Sequence, residues 1–147
     1  MSNNVRKALS AYQKNTVDVA IAAATPHQLI VMLFDGAMAA ISQAKINLEN
    51  GDVRNKGLMV GKAVSIIEEG LKGALDKTVG GELTQSLDDL YEYMLYKLLQ
   101  ANFYNRVTDL EEVYGLLVGL RESWVSIGAK QELSNSESQP AILSSKV

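Results

Sequence analysis

Apolar residues recur every three or four positions along most of this chain, and most densely between Gly81 and Tyr104. Placed at about 100° per residue, Leu83, Leu87, Leu90, Met94, Leu98 and Ala101 make one helical stripe, which Tyr91, Leu95 and Leu99 widen to roughly half the circumference. A helix that only faces a core needs a narrower band. Tyr91, Tyr93, Tyr96, Phe103 and Tyr104 lie on the same element and concentrate large amphipathic contact surface there. Two outcomes stay open: neighbouring segments cover the whole band, or part of it meets another molecule.

The same periodicity marks three more helices. Thr25-Pro26-His27-Gln28 reads as a helix start, with Thr25 as cap, Pro26 in the first turn and Gln28 completing a capping box. Leu29, Met32, Leu33, Ala37, Ala40, Ile41, Ala44 and Leu48 then run down one face until Asn50-Gly51, a length of about 24 residues or roughly 36 Å. Asp52 caps the next helix, in which Val53, Val60, Val64, Ile67, Leu71 and Leu75 recur near the helical period. Gly57, Gly61, Gly70 and Gly73 lie inside it, each costing about 1 kcal/mol relative to alanine, so its neighbours must hold it. Close helix approach is the simpler reading of these glycines, and built-in plasticity is the other. Gly80-Gly81 breaks the pattern before the broad-banded helix, and Asn105-Arg106-Val107 interrupts it afterwards. Thr108 and Glu111 form a second capping box for a last helix on Leu110, Val113, Leu117, Leu120, Trp124 and Ile127, widened by Tyr114, Val118 and Val125.

Ahead of these, Val5, Leu9 and Tyr12 stand at helical spacing, and Val17, Val19 and Ile21 alternate. The pattern predicts a short helix and an extended strap that dock on the body, because isolated helices below ~12 residues are marginal in water. From Gln131 the chain is rich in Ser, Glu, Asn and Gln and is expected to be disordered. The expected architecture is all-α: an antiparallel up-and-down four-helix bundle over residues 25–130, with an N-terminal cap or strap over 1–24 and a disordered tail over 131–147.

Composition narrows the chemistry. The chain has 147 residues, 47% hydrophobic, enough for one domain with a sizeable core. It has no cysteine and one histidine, which excludes disulfides, thiolate metal sites and multi-histidine sites. A di-iron bundle would need Glu-x-x-His motifs, whereas Ala24 stands three residues before His27. A net charge of −3 with scattered basic residues offers no attraction to nucleic acid. There is no secretory signal pattern, and no window of about 20 uninterrupted apolar residues predicts membrane insertion. The acidic pairs Glu68-Glu69, Asp88-Asp89 and Glu111-Glu112 diverge by about 100° on a helix and do not share a site. Gly80-Gly81 lacks a Walker lysine and serine and follows no strand. No enzyme and no cofactor is expected. His27 in a first turn reads as a surface residue, although a phosphotransfer or regulatory bundle using His27 is the alternative function class.

The residues then show a resemblance. Ala11-Tyr12, the run Ala24-Thr25-Pro26-His27-Gln28-Leu29-Ile30-Val31-Met32-Leu33-Phe34-Asp35-Gly36-Ala37, Gly70-Leu71-Lys72-Gly73-Ala74-Leu75-Asp76 and Gly80-Gly81-Glu82-Leu83 stand in the order and spacing of one family. Leu90-Tyr91-Glu92-Tyr93-Met94, Leu98-Leu99-Gln100-Ala101-Asn102, Leu110-Glu111-Glu112-Val113 and Trp124 complete the pattern. From about Ala8 to Lys130 the chain resembles the flagellin-specific export chaperones of bacterial flagella (FliS). It departs at Ser86, where the family often has asparagine, and in the tail. The resemblance implies a cytoplasmic chaperone that binds the disordered C-terminal segment of flagellin, prevents premature polymerisation and aids delivery to the flagellar type III export apparatus. Flagellar export components and a co-chaperone or regulatory protein are the further partners it suggests. It implies that the N-terminal segment gives way from an apolar groove, and Leu9 and Tyr12 match positions linked to client binding. On this basis Leu83, Leu87, Leu90, Met94 and Leu98 are read as core. Leu9, Tyr12, Val17, Tyr91, Leu95, Leu99 and Asn102 are the expected client contacts.

Overall fold

The computed structural model describes residues 18–76 and 80–145, with side chains as far as residue 130. Four long helices form the body: α1 (Pro26–Glu49), α2 (Val53–Ser65) with a π-helical continuation (Ile66–Lys72), α3 (Glu82–Tyr104) and α4 (Val107–Ser145). No strand occurs among the described residues. Short connections make successive helices antiparallel; α1 packs on α2 and α4, and α3 on α4 and the π segment.

Local chemistry sets most of the helix ends. Gln28 N–H donates to Thr25 Oγ1 at 3.1 Å while Thr25 N–H donates to Gln28 Oε1 at 2.9 Å, the expected capping box. Asn50 ends α1, and Gly51 follows with φ 76°, a left-handed conformation that glycine adopts without steric cost. Asp52 caps α2 through Asn55 N–H at 3.2 Å. Asn105 closes α3 in the left-handed region at φ 53°. That turn is tight enough for α4 to start at Val107, so Thr108 lies inside the first turn and not at the cap.

The core is one cluster drawn from all four helices: Phe34, Ala37, Ile41 and Ala44, then Val60, Ala63, Ile67 and Leu71, then Tyr91, Met94, Leu98 and Ala101, then Leu110, Val113 and Leu117. Among the described residues, α1 is the one helix long and apolar enough to cross a membrane by length and mean hydropathy. Here its apolar face packs on the other helices of the bundle, and Asp35 faces out to pair with Arg121 at 2.5 Å.

The α3 band divides differently from the sequence reading. Its buried face is Tyr91, Met94, Leu98 and Ala101, whereas Leu87 and Leu90 are half-buried and Leu83 is 74% exposed. The apolar stripe is continuous, but burial fades toward the start of α3: Leu87 packs partly on the core, and Leu83 one turn earlier is left open.

The glycine-rich helix also departs from a regular α-helix. Ala63, Ile67, Leu71 and Leu75 are spaced by four, and each such step overshoots a 3.6-residue turn by about 40°. Over an unbroken α-helix the overshoots accumulate and carry Leu75 off the core face. A stretch of wider i→i+5 turns over Ile66–Lys72 winds back part of that drift and keeps Ile67 and Leu71 fully buried. Close approach explains Gly70, where a Cβ would stand 2.9 Å from Leu33 Cδ2; it does not explain Gly61, which faces open space.

Residues 18–23 are helical, where alternation had suggested an extended strap. Ala20, Ala22 and Ala23, the strongest helix formers, outweigh a two-residue alternation of β-branched side chains. Val19 and Ile21 are exposed there. At the other end α4 is continuous through Ser145, past the boundary at 130, while the bundle packs on it from Leu110 to Gly128.

Candidate client-binding surface

Where the helices diverge at one end of the bundle they leave an apolar groove with a cavity of about 320 Å³. Ile30 and Phe34 of α1, Leu71, Ala74 and Leu75 at the π-segment exit, Leu83, Leu87 and Tyr91 of α3, and Leu120, Trp124 and Ile127 of α4 line it, with Ser123 as the one hydroxyl of a short side chain. Tyr91 forms part of the buried wall, while Leu83 and Ile127 are exposed at the rim. An aromatic and aliphatic lining around so few polar groups favours apolar burial as the mode of contact.

Trp124 is fixed by a long-range pairing. Its indole Nε1–H donates to the His27 carbonyl at 3.1 Å, and the His27 Nε2–H donates to the Trp124 carbonyl at 2.7 Å. The rings stack with centroids 4.9 Å apart and planes 7° from parallel. Gly128 makes room, since a Cβ there would overlap the imidazole. His27 is therefore a latch between the start of α1 and the end of the packed part of α4, not the unengaged surface residue the sequence suggested. With Nε2 bonded and one ring face on the indole, the imidazole is committed to holding the start of α1 against α4. The signal that could have found this pair was the combination of a lone histidine, a lone tryptophan and Gly128, but nothing local joins residues so far apart.

Tyr91 lies where burial pushes its hydroxyl up to about 12. A folded value above the unfolded one of about 10 gives stability that is complete below pH 10 and lost as pH rises through about 12. Tyr91 is thus expected to ionise late in an ultraviolet absorbance titration, and Tyr91→Phe to reduce the late-ionising amplitude by one tyrosine of the six. The unfolding free energy from urea titrations should fall more steeply between pH 10 and 12 in the parent than in Tyr91→Phe, by an amount on the order of 2 kcal/mol.

A second apolar area runs along α3 beside α2. Tyr96, Leu99 and Phe103 recur at i, i+3 and i+7 and are 57%, 62% and 76% exposed, with Leu58 of α2 exposed at 59%. Asn102 ties the two helices together: Lys56 is buried and its Nζ donates to both the carbonyl and Oδ1 of Asn102, each at 2.8 Å. This places a basic group on the C-terminal carbonyls of α3, the favourable end of its dipole.

The α3–α4 seam is polar instead. Tyr93 donates to Glu112, and Lys97 lies 3.5 Å from Glu112 and 3.6 Å from the buried Asp109. The Tyr93 hydrogen bond holds the Glu112 carboxyl below its usual range and raises the phenol. These groups orient α3 on α4 and bind nothing apolar.

The expected contacts thus separate. Tyr91 belongs to the end groove and is buried; Leu95 is half-buried against the core; Leu99 is exposed; Asn102 is engaged by Lys56. Leu9, Tyr12 and Val17 lie outside the described residues. Leu83 and Leu87, read as core, line the groove.

The bundle thus combines one open apolar end with an exposed aromatic face on α3, two apolar surfaces of the kind that amphipathic segments dock on. The chain belongs to the FliS family: the profile described as "Flagellar protein FliS" matches residues 8–131. It is 46% identical over 128 residues to the flagellar secretion chaperone FliS of Salmonella typhimurium, covering 87% of this chain and 95% of that protein. It is 40% identical over 118 residues to the protein of the same name from Escherichia coli K12, covering 80% of this chain and 87% of that one. With that of Bacillus subtilis it shares 35% over 120 residues, covering 82% and 85%.

Proposed function

We propose that this chain is a cytoplasmic export chaperone for flagellin, which binds the disordered C-terminal segment of the subunit, prevents premature polymerisation and aids its delivery to the flagellar type III export apparatus. The observation that carries the reading is the open apolar groove at the end of the bundle, in a chain whose curated relatives are named flagellar secretion chaperones.

Binding is coupled folding: a disordered client gains burial of its apolar side chains and loses conformational freedom, so the net affinity is moderate and the complex releasable. The groove and the Tyr96–Leu99–Phe103 face lie on different parts of the bundle, which suits a client that wraps it as successive pieces. Leu9, Tyr12 and Val17 precede α1 in the sequence, and Ile30 of α1 is in the groove wall. In this reading they share the groove with the client and yield to it. Leu95, Leu99, Asn102 and Tyr91 are the α3 contacts. Export components and a co-chaperone or regulatory protein would meet surface the client leaves uncovered.

Titration with a synthetic peptide of the flagellin C-terminal segment tests this. Heat of binding together with helix gained in circular dichroism is expected. Absence of both overturns the reading.

A further inference from the structure

We propose that the π-helical segment is a two-register wall of the end groove, and that the bound client holds it in the π register. The proposal rests on the groove being the client site.

The backbone hydrogen bonds locate a surplus residue. Gly73 N–H is shared between the Glu68 carbonyl five residues back, at 3.2 Å, and the Gly70 carbonyl three back, while Ala74 N–H reaches back four, to Gly70 at 3.0 Å. The ladder passes over the carbonyl of Glu69 between them. Leu75 N–H then returns three residues, to Lys72 at 3.2 Å, so the helix tightens from π to α to 3₁₀ geometry over three consecutive donors. Such stretches are intrinsically less favourable than α-helix and persist where tertiary contacts hold them.

What holds this one is visible. Ile67 and Leu71 are fully buried, and Gly70 lies close under Leu33 of α1. Gly73 marks the exit: a Cβ there would overlap the passed-over Glu69 carbonyl. In a continuous α ladder Gly73 N–H would bond to that same carbonyl, and a side chain at position 73 would have the ordinary clearance of any helical residue. Glycine at 73 therefore permits the π register, and a larger residue selects against it.

The register matters because Leu71, Ala74 and Leu75 line the groove. Passing the surplus residue out of the helix rotates everything beyond it by about 100°, which carries Leu75 off the groove wall and draws Leu71 from the core. The α register regains regular hydrogen bonds and loses packing, so the two forms are opposed by terms of similar kind. Gly80 and Gly81, at φ 53° and 122°, supply backbone that can take up the shift before α3. A client side chain seated against Leu71 and Leu75 adds contacts only in the π form and so holds it.

Gly73→Ala in the full chain tests this, with the flagellin C-terminal peptide as probe. The substitution should move the free protein toward the α register and weaken peptide binding about tenfold, because apparent affinity falls with the population of the competent form. Saturating peptide should restore the parent pattern of amide hydrogen exchange over residues 66–76. Unchanged affinity in a folded Gly73→Ala chain overturns the proposal. Should that variant not fold, the parent decides alone: peptide should slow amide exchange at 68–75, and exchange there indifferent to peptide overturns it. A parent that binds no peptide at all refutes the chaperone reading itself; a parent that binds, with Gly73→Ala binding equally, refutes only the two-register wall.

Discussion

Replacing Trp124 with alanine should lower the unfolding free energy by about 3 kcal/mol and the melting temperature by roughly 10 °C. The side chain is half-buried, which sets the estimate at the low end for a tryptophan, but three things go at once. The stack on His27 is lost, the His27 carbonyl loses its indole donor, and the groove loses one wall. Trp124→Phe should fall between parent and alanine, since it keeps a ring against imidazole and gives up the donor. Trp124 is the only tryptophan, so unfolding must be followed by circular dichroism. A loss below 1 kcal/mol would show that the two ends of α1 and α4 are held by something other than this latch.

Leu83→Asp should cost little stability and at least thirtyfold in affinity for the flagellin peptide, about 2 kcal/mol of binding. Leu83 is 74% exposed, so its removal leaves no cavity. It stands in the first turn of α3, where a carboxylate is favoured by the helix dipole and by the free N–H groups. The same position is on the groove rim, where a client that covers it must bury an unpaired carboxylate. Calorimetry with circular dichroism separates the two effects. Parent-like affinity in the folded variant would move the client away from the end groove and onto the Tyr96–Leu99–Phe103 face.

Both results turn on residues whose roles were only partly visible beforehand. That α3 carries more apolar width than a core needs could be read from its pattern, and so could the presence of aromatics on it. Which part of that width is core could not, because the decision depends on where α2, its π continuation and α4 end relative to α3. Tyr91 was placed on the flank and proves buried, while Leu83 was placed in the core and proves exposed. The two are eight residues apart on one helix, about 80° apart in angle and some 12 Å apart along the axis. A pattern in angle alone has no information about which turns a neighbour reaches.

The helix count, the capping box at Thr25 and Gln28, the Asp52 cap and the stop at Asn50-Gly51 were determined by the sequence itself. Each depends on groups within a few residues: a side-chain oxygen three residues from an orphan N–H, or a glycine free to take a positive φ. The resemblance that pointed to FliS was likewise a matter of residues in order. Tertiary structure alone decided the His27–Trp124 latch across 97 residues, the Lys56–Asn102 tie across 46, and the change of register at Ile66. Those arise when helices with independently satisfactory patterns meet, and their side chains and backbone settle the mismatch between a four-residue repeat and a 3.6-residue turn.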